Sequence, residues 1–248
     1  DTSVIRAWAD GLVVKNNVID GRTCILGKGG NGLTVDKNTF DVSKTGVVCQ
    51  PGAYTSVNVT NNAFTLDIAN AAGGESAIYL TGVTGGTISG NSASGFVNGN
   101  GLGGSNNQGA DAGSPLLIQD NLFSGCAKGV NMWGDTQYIT ISGNILTDHS
   151  SAGVGIKGAN LLIDGNTVSG CPAGISIDRH VIDTQNVTIS SNTVTNCTTG
   201  VELKTTNAAI SVTGNDFDGT ADNGTDISVS ATANGVNIDT GNSFAATT

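Results

Sequence analysis

The sequence predicts an all-β fold, a single-stranded parallel β-helix of about ten coils, and three observations support this prediction. An Asn recurs from Asn17 to Asn242 in nine steps that average 25 residues, a period typical of solenoid repeats. A β-branched residue stands three places before each of the first nine, and an apolar residue stands two places after all ten. These ladder Asn residues are Asn17, Asn38, Asn62, Asn91, Asn121, Asn144, Asn166, Asn192, Asn215 and Asn242.

The two apolar columns provide the predicted core. Side chains of a strand alternate between its two faces, so residues that recur in one register point to the same side. The β-branched column contains Val14, Val35, Val59, Ile88, Ile118, Ile141, Ile163, Ile189 and Val212. The second apolar column contains Ile19, Phe40, Phe64, Ala93, Phe123, Leu146, Val168, Val194, Phe217 and Phe244.

The ladder Asn residues are predicted to be structural. Corners between strands require a left-handed backbone, which Asn tolerates better than most residues. Stacked Asn side chains can also hydrogen-bond to one another along the axis of the stack. We therefore assign them no catalytic role.

The unbroken repeat favours one domain over residues 1–248, with residues 1–11 as a candidate N-terminal cap and residues 216–248 as weaker C-terminal coils. The net charge of −10 argues against nucleic acid and anionic membranes as partners. No run of about twenty apolar residues is present, so no membrane insertion is expected. Because the chain opens in the middle of the pattern at Asp1, we expect a processed or excised piece.

Three steps of the repeat contain extra residues. Residues 71–76 read AAGGES, and residues 103–114 read GGSNNQGADAGS. The second insertion has no apolar side chain larger than Ala, so it is predicted to be a surface loop. Such loops project from one face of a solenoid, often the binding face. The third excursion, DRHVIDTQ at 178–185, is charged.

The chain has five Cys residues, an odd number, so at least one thiol is unpaired within the chain. Cys126, Cys171 and Cys197 each stand five places after a ladder Asn, and His149 fills that place in the intervening coil. Parallel strands lie roughly 4.8 Å apart, close to the Cα separation of a disulfide, so Cys171 and Cys197 are able to bridge. The alternative is that all three are small buried residues of an inward column. His149 is predicted to pack in this column.

The strand that follows the Gly of each coil carries the candidate functional residues. The segments VNMWGD, VGIKGA, ISIDRH and VELKTT align so that their outward residues form columns on one face. Three of the chain's ten basic residues, one of its two His and one of its two Trp converge there. The charged, polar and aromatic residues of this face are Asn131, Trp133, Asp135, Lys157, Asp178, Arg179, His180, Glu202 and Lys204.

The coil pattern x-I-x-x-N-x-[FV]-x-x-C-x-x-G-I-x-I resembles the right-handed parallel β-helix repeats of the pectate-lyase-like superfamily. This superfamily includes alginate lyases, mannuronan epimerases, NosD-type periplasmic proteins and phage tailspikes. The resemblance covers almost the whole chain and implies an extracellular, periplasmic or cell-surface protein that binds or cleaves an acidic polysaccharide. Asp178-Arg179-His180 resembles the Asp-Pro-His motif of mannuronan epimerases at its first and third positions, whereas the Pro is absent.

Lyase or epimerase chemistry on a polyuronate is the preferred hypothesis. Cleavage by β-elimination needs a cation that neutralises the sugar carboxylate, a base and a proton donor. His180 is the predicted base because imidazole titrates near neutral pH. The predicted cations are Lys157, Arg179 and Lys204.

The remaining residues of this face are assigned to binding. Trp133 is predicted to stack on a sugar ring, with Asn131 and Glu202 as further contacts to the substrate. Carboxylates that cluster are suitable ligands for calcium, the one cofactor expected here. The candidate calcium ligands are Asp135, Asp178 and Asp183.

Two other classes of function fit the sequence. A glycoside hydrolase would need paired carboxylates, for which Asp135, Asp178 and Asp183 are the candidates. A non-catalytic adhesin, tailspike shaft or filament subunit needs only the stack, and it would self-associate. The aromatic content of 4% favours this structural role, because sugar-binding clefts usually display several rings. Lys157, Asp178 and Lys204 would then form a ladder of salt bridges between strands.

Overall fold

The computed structural model describes residues 3–50, 54–67, 75–178, 186–204, 209–219, 221–230 and 235–244. All regular elements in these ranges are strands. They are β1 (Ser3–Ala7), β2 (Leu12–Lys15), β3 (Val18–Gly27), β4 (Leu33–Asp36), β5 (Thr39–Cys49), β6 (Val57–Thr60), β7 (Ala63–Leu66), β8 (Ser76–Thr81), β9 (Gly86–Ser89), β10 (Ser92–Ser94), β11 (Asn100–Ser105), β12 (Leu116–Gln119), β13 (Leu122–Ser124), β14 (Lys128–Trp133), β15 (Gln137–Ser142), β16 (Ile145–Thr147), β17 (Ala152–Ile156), β18 (Ala159–Asp164), β19 (Thr167–Ser169), β20 (Ala173–Ile177), β21 (Val187–Ser190), β22 (Thr193–Thr195), β23 (Thr199–Leu203), β24 (Ile210–Thr213), β25 (Thr225–Val229) and β26 (Val236–Ile238).

Parallel pairing arranges these strands into three faces of a stack. Face A is a ten-stranded sheet of the strands that precede the ladder Asn residues: β2, β4, β6, β9, β12, β15, β18, β21, β24 and β26. Face B contains the short strands that follow the ladder Asn residues: β7, β10, β13, β16, β19 and β22. Face C contains β8, β11, β14, β17, β20, β23 and β25. The long strands β3 and β5 connect faces B and C. The predicted parallel β-helix is confirmed, with about nine turns.

The two apolar columns found in the sequence form the core. Residues of the β-branched column are at most 6% exposed, and the second column is equally buried from Ile19 to Phe217. Fully burying a Val, Leu or Ile side chain stabilises a fold by about 1.5–3 kcal/mol, so these stacked columns are a main source of stability. Within the second column, the rings of Phe40 and Phe64 stack with their centroids 4.7 Å apart.

The ladder Asn residues connect every pair of successive coils through their side chains. In every ladder Asn after Asn17, the Oδ1 atom accepts a hydrogen bond of 2.9–3.0 Å from the backbone N–H of the ladder Asn on the preceding coil. From Asn38 to Asn242, Nδ2 donates over 2.8–3.0 Å to the carbonyl of the β-branched residue on the preceding coil. The Asn column and the β-branched column, which recur together in the sequence, are therefore hydrogen-bonded to each other.

The left-handed backbone at these corners lies one residue earlier than the sequence predicted. The ladder Asn residues have ordinary φ angles, whereas the residue directly before each of the first nine has a φ of 55–63°. This place is filled by Gly90, Gly143, Gly165 and Gly214 and also by Asn16, Lys37, Asn61, Asp120 and Ser191. The ladder Asn directs both its backbone N–H and its amide at the next coil, so the turn falls on the preceding residue.

The predicted surface loop at 103–114 begins later than expected. Gly103, Gly104 and Ser105 belong to β11 and pair with β8 on one side and β14 on the other. Backbone pairing on both sides holds this segment in the sheet, although it has almost no side chains to bury. A Cβ atom at Gly104 would lie 2.3 Å from the carbonyl oxygen of Leu80, which explains the glycine. Residues 71–74 and 179–185 of the other two insertions lie outside the described residues.

The two ends of the stack differ from its middle. In the candidate N-terminal cap, β1 pairs in parallel with β3 and so adds a strand to the first coil. At the other end, β26 pairs with β24, and Asn242 continues the Asn ladder. Phe244 stacks on Phe217 with centroids 5.6 Å apart but is 45% exposed. It is the last residue that the structure describes in this column.

The place five residues after the ladder Asn is buried on five successive coils, by Phe96, Cys126, His149, Cys171 and Cys197. His149 packs in the core as predicted, at 1% exposure, and its Nδ1 atom accepts a hydrogen bond of 3.2 Å from the backbone N–H of Cys126. Burial lowers the pKa of His149 to about 4, in spite of the opposing Asp148 carboxylate nearby. His149 is therefore neutral at physiological pH.

We expect Asn144→Ala to destabilise the protein by about 2–4 kcal/mol, because it leaves buried donors of Asn121 without an acceptor. Urea unfolding would measure this change. The matched control is Asn17→Ala in the first coil, where the side chain is exposed and the expected change is below about 0.5 kcal/mol. Equal losses in the two variants would contradict a stabilising role of the buried ladder.

We expect acid to destabilise the fold partly through His149. Its folded pKa lies below its unfolded value, so the unfolded chain binds the proton first, and stability falls as the pH drops from about 6.5 to about 4. The contribution is on the order of 3 kcal/mol across this window. His149→Phe introduces the residue type found at Phe96 and should flatten the dependence of the unfolding free energy on pH. The carboxylates common to both proteins cancel in this comparison, and identical slopes would refute the assignment.

Candidate functional site

Face C places six of the predicted site residues on successive coils in the expected register. Asn131, Gly155, Ser176 and Glu202 pair in one outward column across β14, β17, β20 and β23. The next outward column continues the ladder beyond these strands, because Lys157 N donates to Met132 O, Asp178 N to Ile156 O and Lys204 N to Ile177 O at 2.9–3.0 Å. This second column consists of Trp133, Lys157, Asp178 and Lys204, as the alignment predicted.

Three charged residues of these columns meet around one hydroxyl group. Lys204 Nζ lies 2.6 Å from Glu202 Oε2 and 3.9 Å from Asp178 Oδ1. The Ser176 hydroxyl lies 3.2 Å from Asp178 Oδ1 and 3.5 Å from Glu202 Oε2. Both carboxylates therefore face the same point on the surface. Glu202, rather than Lys157, completes the salt-bridge ladder that was expected with Lys204.

This charged cluster lies in a groove of about 370 Å³ whose walls come from four successive coils. Ser150, Pro172 and Thr199 contribute to one wall, and the cluster contributes to the other. Two smaller hollows, of about 210 and 180 Å³ on faces B and A, are lined by uncharged residues. Of these three hollows, the groove is the one lined by charged side chains.

Lys128 also lines the groove, and sequence reasoning missed it. It begins β14, and its aliphatic stem lies over Gly155 of the next coil, where a Cβ atom would be 3.1 Å from Nζ. Burial lowers the pKa of Lys128, and the neighbouring Lys157 and Lys204 add to this effect, whereas Asp178 opposes it. Asn131, predicted to contact substrate, accepts a hydrogen bond of 3.2 Å from Lys128 Nζ.

The sequence feature that could have identified Lys128 is the small size of the residues aligned with it on the next two coils. Lys128 pairs with Ala152, which pairs with Ala173 on the following coil. A long side chain beside such short ones has room to lie across the sheet, and this room was readable from the alignment.

A second aromatic ring, that of Tyr79, joins the predicted Trp133. Tyr79 lies on β8, and its ring passes over Gly103, where a Cβ atom would be 3.4 Å from Cδ2. The ring centroids of Tyr79 and Trp133 are 6.0 Å apart, with an interplanar angle of 55°. The sequence did not reveal this pair, because β11, which lies between the two strands, was predicted to be partly loop.

Not every predicted site residue can be placed. Arg179, His180 and Asp183 lie outside the described residues. Asp135 is exposed in the turn after Trp133, where its backbone N–H donates to Asn106 Oδ1 over 3.0 Å. Within the ranges that the structure describes, no group of three or more His, Cys, Asp or Glu residues is placed to hold a metal ion. The described part of the chain also contains no helix long and apolar enough to cross a membrane.

Several solved structures share the fold of this chain. The Dettilon tailspike protein (gp208) aligns with a TM-score of 0.53 and 13% identity, over 97% of this chain. This chain spans 59% of the tailspike's length. At this level of identity, the similarity shows the fold alone.

Two enzymes align more weakly. The Azotobacter vinelandii mannuronan C-5 epimerase A-module has a TM-score of 0.37 and 11% identity, over 98% of this chain and 80% of its own. The catalytic domain of a GH87 alpha-1,3-glucanase, solved in complex with tetrasaccharides, has a TM-score of 0.40 and 15% identity, over 97% of this chain and 62% of its own.

Sequence comparison gives a more specific result. No curated protein matches the chain significantly. A family profile described as periplasmic copper-binding protein (NosD) matches residues 52–244, which is most of the repeat. NosD-type proteins are among the relatives that the coil pattern resembles, and the chain therefore belongs to the NosD family.

Proposed function

We propose that this protein binds an acidic polysaccharide along face C, in the periplasm or outside the cell. The observation that carries the proposal is a strip of six successive coils, from Tyr79 on β8 to Glu202 on β23, in which every coil except that of β11 presents an aromatic, polar or charged group. Five steps of about 4.8 Å give the strip a length of about 24 Å, enough for an oligosaccharide of several sugars. The family's periplasmic description supports the location.

The two ends of the strip differ in chemistry. At one end, Tyr79 and Trp133 present faces that can pack against the C–H groups of sugar rings. At the other end, the groove offers hydroxyl, amide and charged groups for hydrogen bonds with sugar hydroxyls. Gly103 and Gly155 lie in the same outward register, and their lack of a side chain gives room for the Tyr79 ring and the Lys128 stem to lie across the strip.

Charge favours an acidic ligand. Lys204 is paired with Asp178 and Glu202, whereas Lys128 and Lys157 have no ion pair with any described residue. Lys128 and Lys157 repel each other, Asp178 attracts Lys128 from beyond ion-pair distance, and a carboxylate ligand would neutralise both ammonium groups. Partial burial of Lys128 strengthens such a contact, because the local dielectric constant is lower than in water.

Cleavage or epimerisation of the bound polyuronate is the chemistry we propose for this face. Lys128 and Lys157 would neutralise the sugar carboxylate and so favour removal of the neighbouring proton. His180, two residues beyond Asp178 in the sequence, is the proposed base, with Arg179 as a further cation.

One observation favours hydrolysis as a second candidate function. Asp178 and Glu202 face the same point through Ser176, as paired carboxylates of a glycoside hydrolase would. This pair combines Asp178, one of the carboxylates expected from the sequence, with Glu202.

The family description includes copper binding. Copper prefers His, Cys and Met ligands, and in the described ranges no group of three or more His, Cys, Asp or Glu residues is gathered, so the described residues do not fit a copper site. Calcium remains a proposal for Asp135, Asp178 and Asp183. Binding measured in calcium and in EGTA would test it, and equal affinities would remove calcium from the site.

We expect Lys128→Met to weaken polyuronate binding about tenfold, because the variant loses one charge-assisted contact. Isothermal titration with alginate and pectate oligosaccharides would measure the affinity, and a neutral glucan should bind more weakly than either. Trp133→Ala should also lose about tenfold, since the sugar then lacks its aromatic support.

Matched controls for these variants lie elsewhere on the chain. Lys15→Met removes an exposed lysine of face A that pairs with Asp36 at 3.6 Å. Trp8→Ala removes the exposed Trp near the start of the chain. Both should bind like the wild type. Equal affinity in all four variants would refute face C as the binding surface. Filaments seen by electron microscopy, without polysaccharide binding, would favour the structural role.

We expect the wild type to generate an unsaturated product from a polyuronate, detected by the ultraviolet absorbance of the new conjugated double bond. His180→Ala should abolish this absorbance while it retains polysaccharide affinity, because the imidazole acts as the base and not as the main binding group. If no double bond forms, nuclear magnetic resonance of the polymer would detect epimerisation. New reducing ends without a double bond would instead favour hydrolysis by Asp178 and Glu202.

A further inference from the structure

Cys171 and Cys197 occupy the same place on two adjacent coils. Each stands five residues after a ladder Asn, and Asn166 and Asn192 are hydrogen-bonded to each other. The backbone N–H of Thr198 donates to Cys171 O over 3.0 Å, so the two coils are in register at this point. Both Cys residues are 3% exposed and carry free thiols, and each sulfur donates to a carbonyl of its own coil, Cys171 to Ser169 O over 3.3 Å and Cys197 to Thr195 O over 3.4 Å.

The neighbouring thiol distinguishes Cys197 from the other Cys residues. The proximity of the Cys171 thiol lowers the pKa of Cys197, as do the backbone N–H groups of Cys171 and Gly170, whereas burial opposes them. The same proximity raises the pKa of Cys171, which keeps its proton. Thiolates are the reactive form of cysteine in exchange with disulfides.

At the other three thiols, burial is the main influence on the pKa. Burial raises the pKa of Cys24 and Cys49 to about 12 and that of Cys126 to about 11. Cys126 belongs to the same column as the pair, but His149 stands on the coil after it and Phe96 on the coil before it, so no thiol faces it there. The pair at 171 and 197 is thus distinct from the remaining Cys residues, because two thiols occupy the same place on adjacent coils.

We propose that Cys171 and Cys197 are a redox-active dithiol that closes to a disulfide between adjacent coils when it meets a small disulfide such as oxidised glutathione. The Cys197 thiolate attacks one sulfur of the reagent, the reagent's S–S bond breaks, and one thiolate leaves. Cys171 then loses its proton and attacks the Cys197 sulfur of the mixed disulfide, which releases the second thiol. The protein dithiol is oxidised, and the reagent is reduced to two thiols.

The geometry of the stack suits this bond. Adjacent parallel strands are roughly 4.8 Å apart, within the usual range of Cα separations for a disulfide. The bond would also fix one edge of the groove, because Pro172 and Thr199, which line it, directly or closely follow the two Cys residues. Oxidation would therefore tie together two of the coils that form the proposed binding surface.

The test begins with the native wild-type protein and oxidised glutathione. After incubation, thiols would be counted in denaturant, and we expect the five thiols of the reduced protein to fall to three. Trypsin cuts after Lys157, Arg179 and Lys204, so Cys171 and Cys197 fall in different peptides. Mass spectrometry should find these two peptides joined by a disulfide. Five thiols after oxidation, or a bond between other Cys residues, would overturn the proposal.

Single variants would identify the attacking sulfur. Cys171→Ser should stop at the mixed disulfide and gain one glutathionyl group at Cys197, whereas Cys197→Ser should gain none. The control Cys126→Ser removes a thiol from the same column and should still lose two thiols on oxidation. Glutathionylation of Cys171 in place of Cys197 would contradict the assigned roles. The peptide map of the wild type decides the existence of the bond even if a Ser variant fails to fold.

Discussion

The Asn ladder is the constraint on which the rest of this structure depends. Each buried amide is bonded to the coil before it and to the coil after it, and its partners include the carbonyl groups of the β-branched column. A slip of one residue in any coil would leave several of these groups buried without partners, at a cost of about 1–3 kcal/mol for each. The register is therefore fixed independently of the apolar side chains, which many neighbouring registers could bury almost as well.

The fixed register determines which side chains of different coils lie next to one another on the surface. Side chains separated by more than twenty residues become neighbours on face C, so a few substitutions on different coils can build one site. The floor of that site consists of small residues, such as Gly103, Gly155 and Ser176, and its boundaries consist of long ones. Because Lys128 and Tyr79 lie across the coils that follow them, the site is continuous along the axis and suits a chain-like ligand.

The interior combines this regularity with local exceptions. One inward column accepts Phe96, Cys126, His149 and two further Cys residues, since each can fill a similar volume beside a corner. His149 remains neutral because it is buried, and its protonation opposes folding in acid. Cys171 and Cys197 differ from the other thiols only because the column repeats cysteine on adjacent coils. The proposed dithiol chemistry therefore arises from the recurrence of cysteine on adjacent coils, and it needs no departure from the regular fold.

The sequence by itself determined the coil, the two core columns, the structural role of the Asn residues and the outward register of Trp133, Lys157, Asp178 and Lys204. These features follow from backbone periodicity, which a single sequence displays directly. Only the tertiary structure decided that Gly103–Ser105 is a strand, that Lys128 lies over Gly155, and that Glu202 shares Lys204 with Asp178. Such contacts depend on pairing with both neighbouring coils and on the direction of long, flexible side chains, and neither property is periodic along the chain.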